Sequence, residues 1–321
     1  MKPKCVQPKR KPLSCCEKPS DRSFPYCIHD HISPSMRPKQ WIKNLIVFLP
    51  LFFGHRIGDT EALLRLTILL IAFCSASSAV YLFNDICDRA IDRLHPVKSR
   101  RPIASGAWSL SKAYILIALL VVLACAVILS LLSFPFAVYA LISIVLYLLL
   151  NLFYSLKGKH IPIVDAFLVA FGFLIRLYAA GAVSGVPISH WLALMTLFLS
   201  LLLAFGKRKE DLRLLQETAL SSRPVVKHYT DGFLNVLLAI LSATIIILYT
   251  LYATDGEVIS RNGPYLYVSV FPVATGLFHY LRHVIVKGCH CNPTDMLYQD
   301  HGLQLSVVVW IILYSISPYV A

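Results

Sequence analysis

Charge is what this sequence has least of. Asp, Glu, Lys and Arg make up 15% of its 321 residues against 57% hydrophobic residues, and the mean hydropathy is +0.67. A water-soluble globule of this length has too little interior for so much apolar side chain, so that class is excluded. Acidic residues are scarcer still, 17 against 30 Lys and Arg, for a formal net charge of +13. No C-x-x-C pair occurs among the nine cysteines, which argues against a structural zinc site, and the Cys15-Cys16 and Cys289-His290-Cys291 clusters read as free thiols. Residues 1–35, rich in Lys, Arg, Pro and Cys, have no apolar core that could act as a secretory signal and are expected to form a disordered cytoplasmic tail. No repeat of solenoid length is visible. The basic residues lie in short segments between apolar runs and build no amphipathic reading helix, which excludes a nucleic-acid partner.

What is abundant is long apolar runs. Nine recur, near 41–55, 62–84, 112–132, 135–153, 163–184, 188–206, 232–252, 264–285 and 302–320, and a membrane crossing needs about 20 such residues. The expected fold is an all-α integral membrane bundle of nine transmembrane helices, with one domain over 36–321. Most Lys and Arg fall in the tail and in the segments 85–111, 154–162, 207–231 and 286–301, whereas the alternate loops hold only Arg56 and Arg261. The positive-inside rule then places the N-terminus and the large polar loops in the cytoplasm.

The sparse carboxylates gather after the second run, in Asn84-Asp85-Ile86-Cys87-Asp88-Arg89-Ala90-Ile91-Asp92. If the helix continues, steps of 100° put Asn84, Asp85, Asp88 and Asp92 within an arc of about 100°. Three carboxylates on one face repel one another unless a cation lies between them, and hard oxygen ligands that leave room for phosphate suit Mg2+. A solvated acidic helix end is the plainer alternative. The basic stretch that follows carries Lys98, Arg100 and Arg101 ahead of a Pro and a Gly, and guanidinium groups grip phosphate oxygens in bidentate fashion. The same residues serve equally as a topology signal.

This N-D-x-x-D-x-x-x-D pattern, followed by K-S-R-R-P-I-A-S-G, resembles the first signature of the UbiA prenyltransferase superfamily. The resemblance implies a nine-helix membrane bundle with Mg2+ at Asn84, Asp85, Asp88 and Asp92 holding a diphosphate. Three further stretches, at 37–44, 154–165 and 206–210, resemble its decaprenyl-phosphate phosphoribosyltransferase branch, and the likeness covers about residues 35–320. Aromatic prenyltransferases of the superfamily have a second acidic motif. Here the corresponding loop has one carboxylate, Asp165, preceded by Lys157, Lys159 and His160, a charge balance that suits phosphoribosyl pyrophosphate with its additional phosphate.

The resemblance therefore implies an enzyme that transfers a phosphoribosyl group to a polyprenyl phosphate. Asp85, Asp88, Asp92 and Lys159 are expected as catalytic residues. Lys43, Asn44, Lys98, Arg100, Arg101, Tyr154, Lys157, His160, Asp165, Arg176, Lys207 and Arg208 are expected to bind substrate. Arg176, inside an apolar run, needs a partner, either a substrate phosphate or a polar residue of another span. Lys207 and Arg208 read as the cap of the sixth span, either as interfacial anchors or as a phosphate site. The alternatives are an aromatic prenyltransferase using a prenyl diphosphate, and a non-catalytic lipid-binding or transport protein. A homo-oligomer stays open.

Overall fold

The structure is a computed structural model that describes residues 36–94, 98–133, 135–218, 224–287 and 300–320. The Cys-rich tail and the Cys289-His290-Cys291 cluster lie outside the described residues. The described residues are helical throughout their ordered elements, with no strand among them.

A 3-10 helix, Pro38–Phe48, runs into α1 (Leu49–Phe53); then follow α2 (Thr60–Cys87), α3 (Arg89–Leu94), α4 (Pro102–Ser105), α5 (Leu110–Leu131) and α6 (Phe136–Leu156). The second half comprises α7 (Val164–Ser184), α8 (His190–Thr218), α9 (Asp231–Ala253), α10 (Gly256–Asn262), α11 (Val270–Arg282) and α12 (His301–Ile316). Short polar side chains start these helices by accepting backbone N–H groups that have no partner in the first turn. Asp59 accepts from Ala62 N at 3.0 Å, Thr230 from Phe233 N at 3.3 Å and Asp300 from Leu303 N at 2.9 Å.

Among the described residues, seven helical segments are long and apolar enough to cross a membrane: α2, α5, α6, α7, α8, α9, and α12 together with the 3-10 turn that continues it to Tyr319. Seven of the nine expected spans are thus present at full length, and the other two take a different form. The 41–55 run has few residues, but the helical segment begins earlier, at Pro38, and is wound as 3-10 helix to Phe48; at about 2.0 Å per residue there and 1.5 Å in α1, residues 38–53 reach about 30 Å. The 264–285 run is divided into a 3-10 turn (Leu266–Ser269), α11 and a π-helical turn (His283–Lys287). A third difference concerns α8, which continues to Thr218 instead of stopping near 206. The Lys207–Glu210 pair, 2.7 Å apart and one turn apart in sequence, supports this extension.

Packing follows from side-chain size. The middle of α2 carries Ala72, Ser75, Ala76, Ser77, Ser78 and Ala79, all buried, and small residues let neighbouring backbones approach closely. Around it close the N-terminal 3-10 helix, α5, α6 and α7, while α8 packs on α7 and α9, and α11 on α9 and α12. Large apolar side chains such as Leu119, Val122, Ile142, Ile247 and Ile311 point outward. In water that surface would be a liability; against lipid tails it is the expected exterior. One end of the bundle is tied by His55 to Asn262 (2.5 Å) and by Tyr252 to Tyr314 (3.0 Å). The opposite end gathers the charged residues.

Candidate active site

The acidic motif sits where α2 ends. The expected unbroken helix is interrupted: α2 stops at Cys87, Asp88 is its C-cap (φ −88°, ψ 1°), and α3 begins at Arg89. Backbone bonds from Asp88 N to Asn84 O (2.9 Å) and from Asp92 N to Asp88 O (2.8 Å) carry the i to i−4 spacing across the joint, so the motif still projects as a group. Asp85 and Asp92 are buried, at 4% and 1% exposure, and buried carboxylates need partners.

Three cations from three separate elements meet the carboxylates of the motif, two of them on Asp85 and Asp92. Arg37, just before the 3-10 helix, donates to Asp85 Oδ1 at 2.5 Å and lies 5.0 Å over the Tyr81 ring. Burial lowers the Arg37 pKa from its usual value, and the Asp85 carboxylate opposes that shift. Arg101, the N-cap of α4, donates through one nitrogen to Asp85 (3.0 Å) and to Asp92 (2.6 Å). Arg93 fixes α3 against α4 by donating to Ala104 O at 3.0 Å. Lys159, on the 3-10 turn Gly158–His160 between α6 and α7, donates to Asp88 Oδ1 at 2.5 Å, and Asn84 donates to Asp88 Oδ2 at 2.9 Å.

Among the described residues no three His, Cys, Asp or Glu side chains converge as a metal-ligand group, and each carboxylate of the motif faces a cationic side chain. One atom of the motif is left over. Asn84 Oδ1 is buried and accepts no hydrogen bond, an arrangement that costs free energy unless a donor or a cation approaches it. A buried amide oxygen beside carboxylates is a donor set that suits a hard divalent cation.

Of the two partners expected for Arg176, the structure shows polar residues of other elements: it is buried in α7, donating to Asn44 Oδ1 (2.8 Å), Tyr147 Oη (2.9 Å) and, within its own helix, Gly172 O (2.8 Å). Its guanidinium also lies 4.3 Å over Tyr147 and 5.6 Å from the rings of Phe73 and Phe173. Neutral oxygens and ring faces thus satisfy the intramembrane cation. Asn44 in turn donates to Ser77 Oγ at 3.2 Å and Cys74 Sγ at 3.3 Å. These two residues join the 3-10 helix, α2 and α7.

Asp165 is fully buried and accepts from Arg208 Nε and from Tyr229 Oη at 3.3 Å. Lys207 and Arg208 are not at a helix end, because α8 runs on past them; Lys207 pairs with Glu210, and Arg208 also meets Asp211 at 3.5 Å. Lys209, with no exposed surface, pairs with Asp231 at 2.6 Å and with Asn235. Lys43, Lys98 and Tyr154 are half-buried, and Arg100, Lys157 and His160 are exposed. The site-lining cation that sequence reasoning passed over is Arg37. Its signal was its place in the 37–44 stretch, directly before the Pro that starts the 3-10 helix.

Residues 46–287 match the UbiA prenyltransferase family. The chain belongs to that family. It is therefore an integral membrane transferase. This UbiA-family chain is 31% identical over 302 residues to the decaprenyl-phosphate phosphoribosyltransferase of Corynebacterium glutamicum, covering 93% of this chain and 90% of that protein. To the Mycobacterium tuberculosis protein of the same name it is 32% identical over 281 residues, covering 86% of this chain and 90% of that one. In fold it is similar to a UbiA homolog from Archaeoglobus fulgidus bound to DMAPP and Mg2+, with a TM-score of 0.65 at 18% identity over 91% of this chain and all of that one.

Proposed function

We propose that this UbiA-family enzyme transfers a 5-phosphoribosyl group from phosphoribosyl pyrophosphate to a decaprenyl-like polyprenyl phosphate, releasing pyrophosphate at the cytoplasmic face. The observation that carries the reading is the likeness, over nearly the whole length of both chains, to proteins named decaprenyl-phosphate phosphoribosyltransferase. The charge pattern supports it: Arg37, Arg101 and Lys159 converge on one acidic motif, a concentration of anion-binding groups that suits substrates carrying several phosphates.

Mg2+ is the cofactor of this reading, held by Asn84, Asp85, Asp88 and Asp92, and it supplies charge neutralisation to a departing pyrophosphate. The orphaned Asn84 oxygen supports that ligand set. The chain's own residues bind and orient. Arg101 and Arg37 grip phosphate oxygens through their planar forks, and Lys159 contributes a point charge beside Asp88. The exposed Arg100, Lys157 and His160 and the partly buried Lys98, Lys43 and Tyr154 extend the basic rim on which the second substrate's phosphate rests. A polyprenyl phosphate oxygen forms the new bond to C1 of the ribose as the bond from C1 to the pyrophosphate oxygen breaks, the electron pair leaving with pyrophosphate. That nucleophile is already anionic at pH 7, so no general base is needed, and positioning and electrostatics carry the catalysis. The nine-span topology with a cytoplasmic N-terminus belongs to this reading, with the two short helical segments as the additional crossings.

The test is a donor swap. Detergent-solubilised full chain with polyprenyl phosphate and Mg2+ releases pyrophosphate from phosphoribosyl pyrophosphate. Consumption of a prenyl diphosphate with a phenolic acceptor, and not of the phosphoribosyl donor, would make it an aromatic prenyltransferase instead. Lipid binding with neither donor turned over would leave a non-catalytic protein.

A further inference from the structure

Three described residues other than glycine have positive φ: Arg37, His55 and Ile163. Of these Ile163 is the most costly, because a β-branched side chain clashes with its own backbone there. At φ 68° and ψ −48°, with Val164 N donating to Pro162 O at 2.8 Å, it forms the rare γ-turn of positive φ. The residue is 45% exposed, so its side chain is only partly packed against neighbours.

The Ile163 carbonyl accepts from Ala166 N (3.0 Å) and Phe167 N (3.2 Å) as α7 begins, and the restraint on its N–H comes from another part of the chain. Ile163 N donates to Tyr229 Oη at 2.6 Å, and the same hydroxyl donates to Asp165 Oδ1, whose second oxygen accepts from Arg208. Tyr229 is itself buried, its ring stacked with Phe233 (6.1 Å, 7° between planes) and edge-on to Phe205. Burial raises the Tyr229 pKa above its usual value, which keeps the hydroxyl protonated and able to donate.

What this turn holds is the connection from α6 to α7. Its other end is wedged at Gly158, where a β-carbon would lie 2.3 Å from Leu168 Cδ1. Between the two anchors stands Lys159, donating to Asp88 at 2.5 Å. We propose that Tyr229 is a positioning residue for the transfer: by holding Ile163 in a turn that its own side chain disfavours, it fixes the loop that presents Lys159 to the acidic motif. The proposal rests on the assignment of Lys159 to the transfer site.

The experiment reads the loop separately from the chemistry. A water-soluble carbodiimide converts a touching Lys and Asp into an isopeptide, and the Lys159–Asp88 cross-link in solubilised full chain is quantified by mass spectrometry. Tyr229→Phe keeps the ring stack and removes the hydroxyl; the cross-link yield and the kcat/KM for phosphoribosyl pyrophosphate both fall about fivefold, the order of effect expected for one released strained turn. Adding Ile163→Gly restores both, because glycine adopts positive φ without strain, whereas adding Ile163→Ala restores neither. Should Tyr229→Phe fail to accumulate in membranes, Ile163→Pro forbids the turn at an exposed side chain with Tyr229 intact, and it lowers the cross-link to the same extent. Unchanged yield in Tyr229→Phe or in Ile163→Pro, or equal rescue by Gly and Ala, overturns the proposal. A wild-type chain that forms the cross-link but consumes no phosphoribosyl donor refutes the proposed function and leaves the positioning of the loop standing.

Discussion

Arg176 donates its Nε–H to Asn44 Oδ1 at 2.8 Å across 132 residues of sequence, joining the first helical segment of the bundle to α7. Both residues are buried, and no ion pair to Arg176 is formed among the described residues, so an intramembrane cation is held by neutral groups. These contacts tie the first helical segment to α7, and a structural role for them is distinguishable from a role in substrate binding.

For Asn44→Ala the expected outcome is loss of a hydrogen bond to a buried charge, about 1.5–3 kcal/mol of stability. Thermal unfolding in detergent shows it as a lower midpoint, while KM for both substrates stays within error of wild type. A large rise in KM with unchanged stability would return Asn44 to the substrate site.

Asp88→Asn and Asp92→Asn are each predicted to lower kcat by about 100-fold or more, since both remove charge from the proposed metal site. Chelation of divalent ions abolishes pyrophosphate release, and added Mg2+ restores it. Full activity in either variant, or in chelator, contradicts the ligand assignment.

Arg101 bridges two carboxylates through one nitrogen and is proposed to grip phosphate through its fork, a geometry that lysine does not reproduce. Arg101→Lys should cost about tenfold or more in kcat/KM for the phosphoribosyl donor, or about 1.4 kcal/mol of transition-state stabilisation. Steady-state kinetics at varied donor concentration decide it; wild-type values would show that only charge matters at this position.

The Arg208–Asp165 pair is almost wholly removed from solvent. Removing either partner alone, by Arg208→Met or Asp165→Leu, takes the main counter-charge from a buried group and should destabilise the protein by about 3–5 kcal/mol, whereas the double variant recovers part of the loss, the remainder reflecting the Arg208–Asp211 contact. Denaturation midpoints of the four proteins measure the coupling. Additive losses would mean that the two residues do not act as a pair.

Much of this arrangement was legible before any coordinates. The apolar runs marked where helices lie, and seven came through at full length, because span length and apolar composition are properties of a segment taken by itself. The acidic motif was legible for the same reason: carboxylates are so few that a local cluster of them is conspicuous. The extension of α8 to Thr218 was not, since a polar helix beyond a span carries no hydropathy signal. Nor was the 3-10 winding of Pro38–Phe48, a segment that meets α2 through contacts distant in sequence, Trp41 with Ser78 (3.1 Å) and Asn44 with Ser77.

The sequence alone determined that this is a membrane bundle with an acidic motif beside basic loops, since those features follow from residue type and spacing along the chain. Which cation meets which carboxylate was decided only by the fold. Arg37, Arg101 and Lys159 come from three different elements, and Arg176, Lys207 and Arg208 share their charge but take other partners. A side chain's charge is written in the sequence, but what stands opposite it depends on how the helices pack, and packing joins residues that are far apart in the chain.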